Sequence, residues 1–253
     1  KIISANVGGI ITELPAGPLG VSFGVERQEV DARMQTDAVA INILVTDGLG
    51  RPTGGGYSVD EAYVEFAIPL LSDVAFAQTL ELNIASRFSD YDTFGSTTNS
   101  KVGLFWALND QLSFRGTWSE AFRAPNIVEL FEGQLPAFET GTDPCANTNN
   151  PNANCISTGV PQAGYNTTLD LVRTNSGGNP NVKPETAIIK TLGIIYQPSW
   201  LTDASITFDF YDVALENAIS KVSAMTKLQE CMNNGIYCDS IHRVTSGEFA
   251  GVL

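Results

Sequence analysis

Apolar and polar residues take turns along most of this chain, with the period of two that marks a β-strand lying between two different environments. In "DEAYVEFAIPL", Ala62, Val64, Phe66 and Ile68 share one face, and Glu61, Tyr63 and Glu65 share the other. "TLELNIASRF" sets Leu80, Leu82 and Ile84 against Glu81, Asn83 and Arg87. In "KVGLFWAL", Val102, Leu104, Trp106 and Leu108 share a face. "QLSFRGTWS" opposes Leu112, Phe114 and Trp118 to Gln111, Ser113, Arg115, Thr117 and Ser119. "ASITFDFYD" sets Ala204, Ile206, Phe208 and Phe210 against Ser205, Thr207, Asp209 and Tyr211. Runs near 2–13, 18–33 and 185–197 alternate less cleanly. The pattern predicts about eight strands.

The connections carry a second signal. "LPAGP" (14–18), "LLSDVAF" (70–76), "NDQ" (109–111) and "PSWLTD" (198–203) read as short turns, whereas 34–56, 92–100, 122–184 and 214–242 read as long loops. Short and long alternate, so an up-and-down meander would carry its tight turns on one rim and its long loops on the other. A Greek-key sandwich has no reason to sort its loops in this way. "PTGGGYS" (52–58) precedes a strand rather than a helix, cannot cradle phosphate at a helix N-terminus, and reads as a flexible loop. One segment leaves the β pattern. In residues 217–235, Ile219, Val222, Met225 and Leu228 follow helical spacing before an Asn-Asn-Gly stop, which predicts a short helix inside a loop.

Composition narrows what these strands can be. Over 253 residues no apolar run approaches the length of a transmembrane helix. The net charge of −14 speaks against nucleic acid, whose partners carry a basic footprint. Cys145 and Cys155 lie in "DPCANTNNPNANC", and Cys231 and Cys238 in "CMNNGIYC". Each pair closes a short polar loop, as local disulfides in an oxidising compartment do. A zinc site needs closer cysteine spacing or histidine helpers, and His242 is the single histidine. Free thiols are the remaining alternative. Periodicity alone does not say which face of the sheet is inside. Long one-sided loops, local disulfides and strands of more than ten residues favour a membrane barrel, with its apolar face toward lipid and a polar lumen.

"WSEAFRAPNIVELF" followed, after a long polar stretch, by "GNPNVKPETAIIKTLGIIYQPSW" resembles the β-barrel region of TonB-dependent outer-membrane receptors. In that family a strand runs into Phe-Arg-Ala-Pro and an apolar-Glu-Leu-Phe segment, and a Gly-Asn-Pro-x-Leu-Lys-Pro-Glu segment starts the next strand. Val182 stands here where leucine is usual. "GVERQE", "YSVDEAYVEFAIPLL" and the paired-cysteine loop opening "DPC" share the likeness, which covers nearly the whole chain.

The resemblance implies an all-β fold: part of an antiparallel up-and-down transmembrane β-barrel in a Gram-negative outer membrane, with long extracellular loops and one short helix. All of residues 1–253 would belong to one barrel domain. Strand 111–121 would end at Pro125 and the sheet resume at Pro184, with Phe122, Arg123, Glu129, Lys183 and Glu185 fixing the loop base by packing and charge pairing. Expected partners are outer-membrane lipid, the family's plug domain, TonB through an amino-terminal segment, and a scarce solute: a ferric siderophore, a corrinoid or an oligosaccharide. Plug and amino-terminal segment have no counterpart in these residues, and "SGEFAGVL" reads as the entry to another strand, so the sequence looks like a central piece of a receptor. Candidate ligand contacts are Arg87, Tyr91, Arg115 and Arg123, with Phe131, Phe138 and Tyr165 available to a sugar. No catalytic group, metal site or cofactor is expected. Two rivals are a soluble secreted β-sandwich or barrel that binds carbohydrate or protein, and an outer-membrane phospholipase built on His242.

Overall fold

The computed structural model describes residues 1–35, 37, 39, 52–201, 203–247 and 250–253. Most of the expected loop 34–56 therefore lies outside the described residues. The chain divides into two compact units. The first, the sheet unit, comprises Lys1–Met34, Thr53–Phe131 and Asn179–Ile219; the second, the loop unit, comprises Gln35–Pro52, Glu132–Gly178 and Ser220–Leu253.

The sheet unit is one antiparallel sheet of eight strands. In chain order these are β1 (Ile2–Leu14), β2 (Gly17–Met34), β3 (Thr53–Val74), β4 (Ala77–Tyr91), β5 (Gly95–Ala107), β6 (Leu112–Arg123), β9 (Glu185–Tyr196) and β10 (Ile206–Glu216). Each pairs with its neighbour in that order, so β1 and β10 are unpaired edges and the sheet is not closed. The missing numbers, β7 (Leu135–Thr140) and β8 (Leu171–Ser176), pair with each other in the loop unit. That two-stranded ribbon lies inside the stretch expected to be loop alone.

Register shows that the alternation describes a real face. Phe114 stands opposite Trp106 on one side and Ile194 on the other, and Ile194 opposite Phe208. Val64 stands opposite Phe23 and Ser86, and Phe66 opposite Val21 and Ile84. Apart from Ser86 these side chains form one apolar face, and it is exposed within the sheet unit. On inner strands Phe23 is 52 %, Leu104 44 % and Leu192 56 % exposed, and on the edge Phe208 is 69 % exposed. Leu112 and Phe114 are half-buried by their neighbours rather than enclosed. A soluble sandwich or barrel would bury this face, so that reading fails. The run from Leu80 to Phe88 on this face of β4 spans roughly 26 Å at about 3.3 Å per residue. Before any tilt, that matches the ~25 Å apolar band of outer-membrane barrels. Near the tight-turn rim Trp106 donates its indole N–H to the Phe76 carbonyl at 2.8 Å, a ring that keeps one end wet.

Several sequence expectations need correction. Residues 92–100 are not a long loop, because only 92–94 separate β4 from β5, and the strict alternation of short and long connections breaks there. Residues 53–58 are not a flexible loop but the start of β3. The turn expected over 70–76 shrinks to residues 75–76, with Phe76 at positive φ. The described residues of "SGEFAGVL" do not form a strand: the chain folds back so that Val244 exchanges backbone hydrogen bonds with Gly251 and Val252.

The loop unit is built around covalent and ionic links. Both disulfides form as expected, Cys145 to Cys155 and Cys231 to Cys238. Besides α1 (Ile127–Phe131) in the sheet unit, the helices among the described residues include α2 (Ala153–Ser157) and α3 (Ala224–Asn234), the latter followed by a 3₁₀ turn at Cys238–Ser240. The helix expected over 217–235 is thus shorter at its start. Ser223 caps it by accepting from the Thr226 N–H, and upstream the Ile219 N–H is held by the Glu185 carboxylate at 2.7 Å, which keeps that residue out of the helix. Gly235 ends it in the left-handed conformation, φ 71°.

Candidate functional site

The polar face of the sheet is wired together across strands. Arg115 on β6 reaches Asp209 on β10 with bonds of 2.8 Å from Nη2 to both carboxylate oxygens. The strand between them, β9, presents Gly193 at that register, where a Cβ would collide with both side chains. A second bridge follows the same plan. Tyr63 on β3 donates to Asn6 on β1 at 2.9 Å, over Gly24 on β2. Arg87 lies over the Tyr63 ring at 5.4 Å and 3.5 Å from Glu61, which also accepts from Ser89 at 2.5 Å.

At the long-loop end, Arg123 holds two carboxylates at once. It donates to Glu185 at 2.8 and 3.0 Å and to Glu129 at 2.9 and 3.0 Å. Glu185 opens β9 directly opposite Arg123, so this pairing joins the strand before the loop to the strand after it. Glu129 belongs to α1, whose start is a reciprocal cap: the Glu129 N–H donates to Asn126 Oδ1 and the Asn126 N–H to Glu129 Oε2. The Arg123 guanidinium, helped by that backbone N–H against the cost of burial, holds the Glu129 carboxyl below the usual carboxylate range. Pro125, with no N–H to leave unpaired, is fully buried at the strand's end. Pro184 is half-buried immediately before β9, and Lys183 is exposed and takes no part in the pairing.

α1 packs against β3. Leu130 is buried, and the Phe131 ring lies so close to Gly55 that a side chain there would overlap it. That contact explains a glycine in the middle of "TGGGYS" better than flexibility does. Beside the helix is a cavity of about 410 Å³ lined by Val30, Tyr57, Asn126, Ile127, Val128 and Glu129. Tyr57 also joins a group of rings centred on Tyr91: Tyr57 at 5.8 Å, Phe94 at 4.5 Å and Phe122 at 5.9 Å.

The two faces exchange character toward this end of the strands. On the face that is apolar lower down, the row after Val25, Ala62 and Phe88 is Arg27, Asp60 and Asp90. The corresponding stretch of β6, β9 and β10 brings Glu120, Lys190 and Asp212. The opposite face, polar lower down, becomes Val30, Tyr57, Val59 and Tyr91 on one side of the sheet and Ala121, Ala187, Ile189, Val213 and Leu215 on the other.

The loop unit holds a network that the sequence does not announce. Arg243 is buried; it donates to Thr158 Oγ1 at 2.9 Å, to the Gly251 carbonyl at 2.8 Å, and to both oxygens of Asp143. Tyr165 donates to Asp143 and stands 3.1 Å from Arg243. Burial, together with the Asp143 carboxylate, pushes the Tyr165 hydroxyl well above the usual phenol range. His242 is exposed beside this network, and Phe138 is exposed on β7.

The family model for the TonB dependent receptor-like beta-barrel matches residues 11–242. The chain belongs to the TonB-dependent receptor family. Its polar face is therefore the lumen wall and its apolar face the lipid-facing one, in the outer membrane of a Gram-negative bacterium. Over 150 residues, 59 % of this chain and 16 % of the relative, it is 26 % identical to the probable TonB-dependent siderophore receptor PirA of Acinetobacter baumannii. The ferric enterobactin receptor PfeA of Pseudomonas aeruginosa, as its R480A mutant with enterobactin, superposes at TM-score 0.57 with 15 % identity over 99 % of this chain and 30 % of that one. The siderophore receptor PirA of Pseudomonas aeruginosa superposes at 0.50 with 16 % identity over 84 % and 31 %. The chain spans about a sixth of its curated relative and under a third of each solved receptor. All three are named as receptors.

Proposed function

We propose that this segment is part of the barrel of a receptor that takes up a ferric siderophore, with a plug domain in the lumen and energy delivered through TonB. Its likeness to siderophore receptors carries the reading: the curated relative and the solved neighbours are all named for siderophores. The wall geometry agrees with a supporting role for the charged residues expected to touch ligand. Arg87, Arg115 and Arg123 are each engaged by carboxylates, which makes them wall fasteners before they are contacts. Recognition then falls to the loop-end surface, where the lumen face turns aromatic and apolar. Energised uptake of ⁵⁵Fe chelates by cells whose only siderophore receptor is the full-length protein tests this. Iron accumulation that disappears without TonB is expected; accumulation of cobalamin or an oligosaccharide with no iron uptake would overturn it.

A further inference from the structure

The geometry points to a latch that couples two of the receptor's long loops: Arg123 and Glu185 together fasten the chain leaving β6 and the chain leaving β10, so that the two exits are held or released as one. The latch holds whichever solute is carried.

It is a single line of hydrogen bonds. Arg123 Nη2 donates to Glu129 Oε1 at 2.9 Å and to Glu185 Oε1 at 3.0 Å. The same Glu185 oxygen accepts from the Ile219 N–H at 2.7 Å. Ile219 lies just past the end of β10 at Glu216, where Asn217, at φ 56°, turns the chain. Arg123 closes β6, Glu185 opens β9 and Ile219 follows β10, so one guanidinium–carboxylate pair gathers three neighbouring strands at their loop ends. On the other side of the guanidinium the line runs into α1. There the Glu129 carboxylate accepts from the Asn126 N–H, and the Glu129 carbonyl accepts from the Asn179 N–H at 2.8 Å, where the chain returns toward β9.

Glu185 is the group that transmits. A glutamate side chain has several rotamers to lose, and the arginine fork removes that freedom by holding both of its oxygens. With the guanidinium in place, the Ile219 N–H meets an acceptor that is already positioned. Without it, that one bond has to order the carboxylate alone. Arg123 therefore acts on the β10 exit through Glu185, as a positioning residue. Glu129 lies beyond the guanidinium, and its loss leaves the fork between Arg123 and Glu185 intact.

Hydrogen exchange of the full-length receptor in detergent, resolved to single amides, tests the latch with two reporters. These are the Ile219 N–H for the β10 exit and the Leu130 N–H, bonded to the Asn126 carbonyl, for α1. Arg123→Gln should lower protection at both. At Ile219 the fall should be roughly 5-fold, the lower end of ordinary coupling between sites, because the Arg123 side chain is 43 % exposed. Glu129→Gln should lower protection at Leu130 and leave Ile219 as in the wild type. Arg123→Lys keeps the charge and loses the fork, so it guards against a folding defect and should give the same pattern more weakly. The β9–β10 ladder should keep its protection throughout. Unchanged protection at Ile219 in Arg123→Gln, an equal loss there in Glu129→Gln, or a loss along the whole ladder in both arginine variants would overturn the latch.

Discussion

Arg115 and Asp209 sit two strands apart and meet because the strand between them carries Gly193 at the crossing point. Arginine supplies the reach and glycine the clearance. The energetic value is modest, since both side chains are about half exposed, 50 % and 48 %, and exposed pairs contribute roughly 0–1 kcal/mol. Gly193→Ala should therefore cost at least as much as Arg115→Ala, because the new Cβ collides with the Arg115 and Asp209 side chains that make the bridge and not with backbone. The double variant should cost no more than either single one, a coupling that a cycle of unfolding midpoints in urea measures directly. Additive losses would mean that Gly193 serves the backbone and not the bridge.

The loop base should respond to acid. In the native state Arg123 holds Glu129 below the ordinary carboxylate value of about 4.3. A depressed acid stabilises the folded form at any pH above that ordinary value, and the contribution is lost as pH falls through the native one. Protection factors over 124–134, corrected for the intrinsic exchange rate at each pH, are expected to stay flat from about pH 8 to 6 and to fall in acid below the carboxylate range. Glu129→Gln should flatten the acid limb, and an unaltered limb in that variant would place the sensitivity elsewhere.

Where the strands were legible in the sequence, and where they were not, follows from the exchange of faces. Alternation is strong from Ala62 to Ile68 because one side meets hydrocarbon and the other water. The start of β5, "GSTTNSK", is polar on both faces, although Thr98 and Ser100 stand level with Phe88 and Ser86 of β4. Its pairing with β4 rests on the backbone ladder and a Ser86–Ser100 hydroxyl contact, so it reads as loop. "TGGGYS" misleads for a related reason, since its glycines make room for Phe131 rather than for motion. The loop-unit network was invisible because its members are far apart: Arg243 lies 100 residues from Asp143 and 85 from Thr158. The cysteine pairs were readable because each closes locally, over 10 and 7 residues.

Arg243→Met should loosen the loop unit far more than any surface charge change. It strands Asp143, which is 4 % exposed and keeps only neutral donors, Tyr165 and the Cys145 N–H, after the guanidinium is gone. Breaking a buried pair from one side costs about 3–5 kcal/mol, whereas replacing both partners with apolar groups is often close to neutral. Limited proteolysis between 143 and 165 in the full-length receptor should accelerate strongly in Arg243→Met and return most of the way in Arg243→Met with Asp143→Leu. Equal sensitivity in the two would show that the carboxylate is not what the arginine protects.

The exchange of faces also fixes how far the lipid reaches. On interior strands the lipid-facing side ends at Ala62 and Phe88 and is followed by Asp60 and Asp90, while Arg27 pairs with Asp60 at 2.8 Å. A carboxylate held in hydrocarbon would be strongly penalised, so this row stands in the headgroup region or above it. The four cysteines of this chain are all in disulfides, so none of them competes with an introduced thiol. In the full-length receptor on intact cells, Asp60→Cys and Glu120→Cys should react with a membrane-impermeant maleimide, and Val64→Cys and Phe114→Cys should be protected. Positions 60 and 64 are only about 13 Å apart along one strand, so the contrast between them is steep. Equal labelling at both would place the membrane boundary elsewhere.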